Sequence, residues 1–143
     1  MKKLVPTLAL FFIFLSCTID DGPNTTFTYD LVRVDSVSMP DTLFFKDLYT
    51  FDVIYERPTS CHAFAGFDYM RDGNERTVGV ICAVYTYPDK GGESCEILVD
   101  ETAVAKMDFS VERDDYYIFK FWQGEDEKGN PLFLTDTIPV VIK

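Results

Sequence analysis

Histidine and tryptophan are almost missing from this chain of 143 residues, which holds one of each, His62 and Trp122. A hydrolytic triad needs a base, usually histidine, and a zinc centre needs several nitrogen or sulfur ligands. With a single imidazole, neither is expected. His62 directly follows Cys61, and adjacent strand residues point to opposite faces, so a Cys–His pair is not expected either. Basic residues are also scarce: 13 Lys+Arg stand against 24 Asp+Glu, a formal net charge of -11. Nucleic-acid binding rests on cationic contacts with phosphate, so no nucleic-acid partner is expected. G-x-S-x-G, the P-loop, H-E-x-x-H and C-x-x-C are all absent. Helical periodicity is missing throughout. These absences point to a protein with no catalytic residues, no cofactor and no metal.

What is present starts at the N-terminus. Lys2 and Lys3 open a stretch that is apolar from Leu4 to Leu15, apart from Pro6 and Thr7. That is a secretory leader. It is shorter than the roughly 20 apolar residues that span a bilayer. The leader closes with Phe14-Leu15-Ser16-Cys17, which resembles the lipobox of bacterial lipoproteins, with Phe14 where leucine is commonest. The resemblance implies that residues 1–16 are removed and that the Cys17 thiol takes a diacylglyceryl group, with a further acyl chain such as palmitate on the freed amine. Each buried methylene contributes about 0.8 kcal/mol, and stable anchoring needs more than one chain, a need that two or three chains on one residue meet. Asp20 and Asp21 follow, and look like the surface-export signal of Bacteroidota lipoproteins. The expected address is therefore the outer membrane, with covalent lipid as the membrane contact and the domain exposed at the cell surface. Residues 17–26 are expected to be a lipidated flexible tether, and residues 27–143 a single domain.

The remaining cysteines are Cys61, Cys82 and Cys95, so one thiol is left over. Cys82 alternates with Val78, Val80 and Val84, which marks it as a buried core residue. Cys61 and Cys95 each follow a loop-like stretch and are expected to form a disulfide.

From Phe27 onward the chain reads as strands. The alternation shifts phase between Leu31 and Val34, which predicts a bulge or a change of sheet. Tyr49, Phe51, Val53 and Tyr55 give the clearest period of two. Arg71-Asp72-Gly73-Asn74 predicts a hairpin between Cys61–Met70 and Glu75–Tyr87. Ile97-Leu98-Val99 predicts a short strand. Met107, Phe109 and Val111 face inward on the next one. Residues 116–122 are apolar on both faces, as a central strand would be, and Pro139 places the last strand at an edge or a bulge. Seven to nine strands predict an all-β, antiparallel sandwich. Asp115-Tyr116-Tyr117 resembles the tyrosine corner of immunoglobulin-like domains, with Tyr117 as the corner residue and Phe119 where the inter-sheet cysteine would stand. The whole chain is similar to the small immunoglobulin-like lipoproteins of Bacteroidota. This resemblance implies a fold and an address, not a reaction.

Three stretches offer chemistry. Tyr85, Tyr87, Tyr116 and Trp122 are candidate ligand-facing aromatics that would stack on a sugar ring. Glu125 to Asn130 is acidic and turn-rich, but lacks calcium-loop spacing and reads as a solvated hairpin tip. Ser36, Thr42 and Thr137 sit in short motifs similar to the Asp-Ser/Thr-hydrophobic acceptor of Bacteroidota O-glycosylation, with Thr42, in a turn, the best placed. The expected role is a non-catalytic binding or structural module with a protein or glycan ligand. The alternatives are a glycan-binding component of a polysaccharide uptake system and a small enzyme or inhibitor. A concave aromatic groove favours the glycan role, and a polar pocket around His62 favours the enzyme.

Overall fold

The computed structural model describes residues 26–86 and 95–143. The leader, Cys17, most of the tether and Tyr87 lie outside the described residues. Nine strands form two sheets, and no helix occurs among the described residues. In chain order the strands are β1 (Thr26–Val32), β2 (Val34–Ser38), β3 (Leu43–Phe44), β4 (Leu48–Glu56), β5 (His62–Asp72), β6 (Glu75–Thr86), β7 (Thr102–Ser110), β8 (Tyr116–Glu125) and β9 (Pro131–Val141). The larger, six-stranded sheet runs β1-β6-β8-β9-β3 with β5 paired to β6, and the smaller runs β2-β4-β7.

The phase shift near Leu31 has a clear structural cause. β1 pairs with β6 in one sheet, the chain crosses at Arg33, and β2 pairs with β4 in the other. Val32 and Val34, on either side of the crossing, are both buried. A register shift between Val34 and Ser36 adds a bulge. The β5–β6 hairpin closes from Asp72 to Glu75 over Gly73 and Asn74, with a left-handed φ of 55° at Gly73 alone. That is the II′ pattern, which takes glycine first. At Gly79 a Cβ would meet Leu31 Cδ1 at 2.7 Å, so the Leu31 side chain of β1 lies in the space that glycine leaves on β6.

The expectation of a wholly antiparallel fold is corrected at two places. β6 runs parallel to β8, pairing Glu75–Val78 with Ile118–Phe121, and β3 runs parallel to β9. The hairpin enters the sheet with β6 inward and β5 outward, and since hairpin strands run oppositely, the inner one shares the direction of β8. The strand expected at Ile97-Leu98-Val99 is also corrected. Only an isolated bridge from Thr59 to Ile97 forms, with Ile97 and Val99 exposed, because the backbone of this segment is bonded to the 58–60 loop instead.

The two sheets share one core. Phe51, Val53, Tyr55, Met107 and Phe109 from the smaller sheet meet Val78, Val80, Cys82, Tyr117, Phe119 and Phe121 from the larger. The ring of Phe119 stands edge-on to Phe51 at 5.5 Å and to Phe109 at 5.0 Å. Aromatic pairs in this geometry add to the hydrophobic stabilisation of burial. Cys61 and Cys95 form the expected disulfide, with Cα atoms 5.4 Å apart, and Cys82 is a buried free thiol. Burial pushes the Cys82 thiol pKa up, and the nearby Asp30 charge adds to the rise.

Tyr117 is fully buried, and its hydroxyl accepts hydrogen bonds from the backbone N–H of Glu112 at 2.9 Å and of Arg113 at 3.0 Å. The bend before β8 is thus held by a side chain inside it. Arg113 and Asp115 close the same bend from outside through two hydrogen bonds of 2.9 and 2.6 Å. The Arg113 side chain, helped by the Tyr116 N–H, lowers the Asp115 carboxyl to about 2. Tyr117→Phe keeps the packing but leaves both N–H groups without this acceptor. A loss of about 2 kcal/mol is expected, on the scale of buried donors left unpaired. Urea unfolding checks it, and an unchanged midpoint would mean that water replaces the phenol at no cost.

A candidate binding groove between two sheet edges

The two sheets differ in width, and the mismatch makes a groove. β5 ends the larger sheet on one side, and β7 ends the smaller one beneath it. Side chains of β5 that pair in register with core residues of β6 face inward, yet some stay open: Phe64 is 43% exposed and Tyr69 42%. Between these edges lies a groove of about 320 Å³, walled by Phe67, Tyr69, Met107 and Phe109, with Arg71 and Arg76 on the larger-sheet side. Lys106, Asp108, Ser110 and Glu112 complete the lining, so apolar walls and charged groups of both signs meet in a groove of ligand-site size.

Arg76 is the unusual member. It sits on the inward register of β6 with Val78 and Val80, and is 5% exposed. Its Nη1 donates to the carbonyls of Gly73 at 2.9 Å and Glu75 at 2.7 Å. The guanidinium lies over the Tyr117 ring, 4.8 Å from its centroid, a cation–π contact. Its Nε is buried without a hydrogen-bond partner, and no carboxylate among the described residues forms an ion pair with it. A buried charge normally has such a partner. Arg71 is different, pairing at the groove mouth with Glu112 at 3.5 Å. Burial raises the Tyr69 phenol pKa, against the pull of the Arg76 and Arg71 charges.

A second groove of about 400 Å³ opens on the opposite side, between β2 and β9. Asp35, Ser36, Thr135 and Asp136 line it with Val37, Met39, Phe121 and Leu134. Its polar side is therefore acidic. No group of three or more metal-ligating side chains occurs among the described residues.

The aromatics singled out from the sequence are not gathered. Tyr85, Tyr116 and Trp122 share the outer face of the larger sheet but stand opposite Phe27, Pro139 and Phe133 respectively. Strand register separates Tyr116 from Trp122 by about 20 Å, at roughly 3.3 Å per residue. Tyr85 instead joins a cluster in which Phe27 packs on Tyr29 at 5.4 Å and on Tyr85 at 5.9 Å. Phe27 and Tyr29 were the missed members, and their two-residue spacing on one strand was the available signal. Among the acceptor-like hydroxyls, Ser36 and Thr137 are exposed and Thr42 is half-buried. Asp126, in the acidic turn, accepts bonds from the N–H groups of Lys128 and Asn130 and from the Asn130 side chain, which lower its pKa.

His62 is buried, with Nδ1 2.8 Å from Thr59 Oγ1 and Nε2 3.3 Å from Asp30 Oδ2. The residue types match a catalytic relay. However, Thr59 Oγ1 also accepts the Cys61 N–H, and neither groove includes any of the three residues. The chain of bonds ties β1 to the loop before β5. No protein-family model matches the chain, and no curated protein or solved structure is significantly similar to it.

Proposed function

We propose that this protein is an outer-membrane lipoprotein, displayed at the cell surface, whose single immunoglobulin-like β-sandwich binds a partner without catalysis. The observation that carries the binding role is the groove between β5 and β7, with aromatic and methionine walls and a buried Arg76 whose Nε has no hydrogen-bond partner and which forms no ion pair among the described residues. The immunoglobulin-like reading draws on the Tyr117 hydroxyl, which bonds the backbone four and five residues upstream as a tyrosine corner does. The anchor reading draws on the leader and Cys17.

The anchor is tested by growing cells that make the full chain on labelled palmitate. The chain is expected to carry label and sediment with the envelope, and Cys17→Ser to lose both. Sedimentation of an unlabelled parent would overturn the anchor. A second reading, glycan contact, draws on the exposed Phe27, Tyr29 and Tyr85 rings. Glycan-array binding that is lost in Tyr29→Ala and kept in Arg76→Lys would favour it.

A further inference from the structure

The groove occupies the place where a fourth strand of the smaller sheet would lie. β7 pairs with β4 on one side and with no strand on the other among the described residues. Beyond that open edge, the stretch of β5 from Phe67 to Arg71 borders the groove, whereas Phe64 packs on Tyr55 of β4 at 6.1 Å. An exposed edge is a template for an added strand, since it offers unpaired N–H and C=O groups at regular spacing. The edge is also long, nine residues from Thr102 to Ser110, with no proline and no register shift against β4.

The chemistry of the groove narrows the occupant. Nη1 of Arg76 is held by two carbonyls, Nε is buried without a hydrogen-bond partner, and Nε and Nη2 form the remaining edge of a guanidinium that the Tyr69 hydroxyl also approaches. A carboxylate gripped side-on takes these two donors together. Asp108 and Glu112 line the same groove, but Glu112 pairs with Arg71 and no acid among the described residues forms an ion pair with Arg76, so an acid brought from outside would supply the missing partner. The walls formed by Phe67, Met107 and Phe109 suit apolar side chains flanking that acid.

We propose that the groove takes an extended peptide segment of a partner protein, which adds to the free edge of β7 as a fourth strand and places an aspartate or glutamate on Arg76. This rests on the reading of the chain as a binding module and specifies its ligand. The backbone supplies affinity by ladder hydrogen bonds, and the acidic side chain sets register. Tyr69, at the mouth, would cover the bound carboxylate from water and strengthen its pairing with the guanidinium.

The test uses the full chain in detergent and a short capped peptide of alternating threonine and valine with one central glutamate. Its comparators are the glutamine twin, free acetate and an oligogalacturonate. The glutamate peptide is expected to bind at least tenfold tighter than its twin, and to protect β7 backbone amides from hydrogen exchange. Arg76→Gln is expected to remove the preference, and Arg76→Lys to recover part of it. The wild-type comparison of the two peptides decides the matter even where a variant fails to fold.

Equal affinity of the two peptides would overturn the role of Arg76. Protection on β5 or β9 in place of β7 would overturn the docking position. Acetate or oligogalacturonate binding without β7 protection would replace the peptide by a free acid or an acidic glycan, leaving the module a binding one. Protection of the same amides in the free chain would mean that its own residues already cover the edge, and this also overturns the proposal. Failure of every probe sinks the groove as a site, whereas the palmitate experiment stands apart from all of these outcomes.

Discussion

Phe119→Ala is expected to destabilise the protein by about 3–5 kcal/mol, the range for deleting a buried aromatic side chain from a close-packed core. Phe119 is fully buried on the central strand β8, and touches rings from both sheets: Phe51 and Phe109 across the core, Tyr117 and Phe121 along its own strand. The cavity cannot close without moving the sheets towards each other, because β8 is pinned by β6 on one side and β9 on the other. Since domains of this size are held by only about 5–15 kcal/mol, the variant is expected to be partly unfolded at moderate temperature. Chemical denaturation with fluorescence readout checks it. A loss below about 1 kcal/mol would show that the neighbouring rings refill the space, and that the core tolerates rearrangement.

Removing the Cys61–Cys95 disulfide is the second large effect. The two residues are 34 apart in sequence. Freeing a loop of that length in the unfolded chain costs about 3–4 kcal/mol on the chain-entropy account. Parent and Cys61→Ser/Cys95→Ser chains are expected to differ by that amount in urea, and the parent with reductant should match the variant. The contacts around the bridge are mostly single hydrogen bonds between loops: Ser60 N–H to the Glu96 carbonyl, Leu98 N–H to the Pro58 carbonyl, and Glu96 N–H to Ser60 Oγ. Single hydrogen bonds at the surface are far weaker than a covalent link, so local opening of residues 95–101 is expected to accompany reduction. The buried Cys82 thiol provides an internal control, staying unreactive to alkylation until the core itself opens. An unchanged urea midpoint on reduction would mean that these loop contacts alone hold the closure.

Local patterns carried much of the fold. The alternation of Tyr49 to Tyr55 and of Met107 to Val111 placed the inner faces of β4 and β7 correctly, because a strand with one buried face writes its orientation into every second residue. The phase change after Leu31 marked the crossing at Arg33, and the valine alternation around Cys82 marked its burial. Neighbours distant in sequence were not legible. Nothing local in Glu75–Val78 says that its partner is Ile118–Phe121 running parallel, since pairing depends on which hairpin strand turns inward. Ile97-Leu98-Val99 has strand composition, yet the loop at Pro58–Ser60 captures its backbone first.

The groove was hidden for the same reason: its walls come from β5 and β7, separated by the whole of β6 and the segment after it. One part of it was readable. Arg76 shares the parity of Val78, Val80 and Cys82, so the alternation that buried the cysteine also points an arginine inward. A cation on the apolar register of a strand is a signal worth following, because burying it unpaired is costly unless something meets it.

The crossing at Arg33 has a mechanical consequence. β1 is the first described element, and it joins the larger sheet by seven consecutive antiparallel pairs with β6, from Thr26–Thr86 to Val32–Val80. Tension entering at Thr26 and directed along the strand loads all of these pairs in shear, so they must yield together. Past Val32 the pull is handed to the smaller sheet through β2, and both halves of the core share it. A body so strapped resists stretching from its N-terminal end far better than one whose first strand peels away pair by pair.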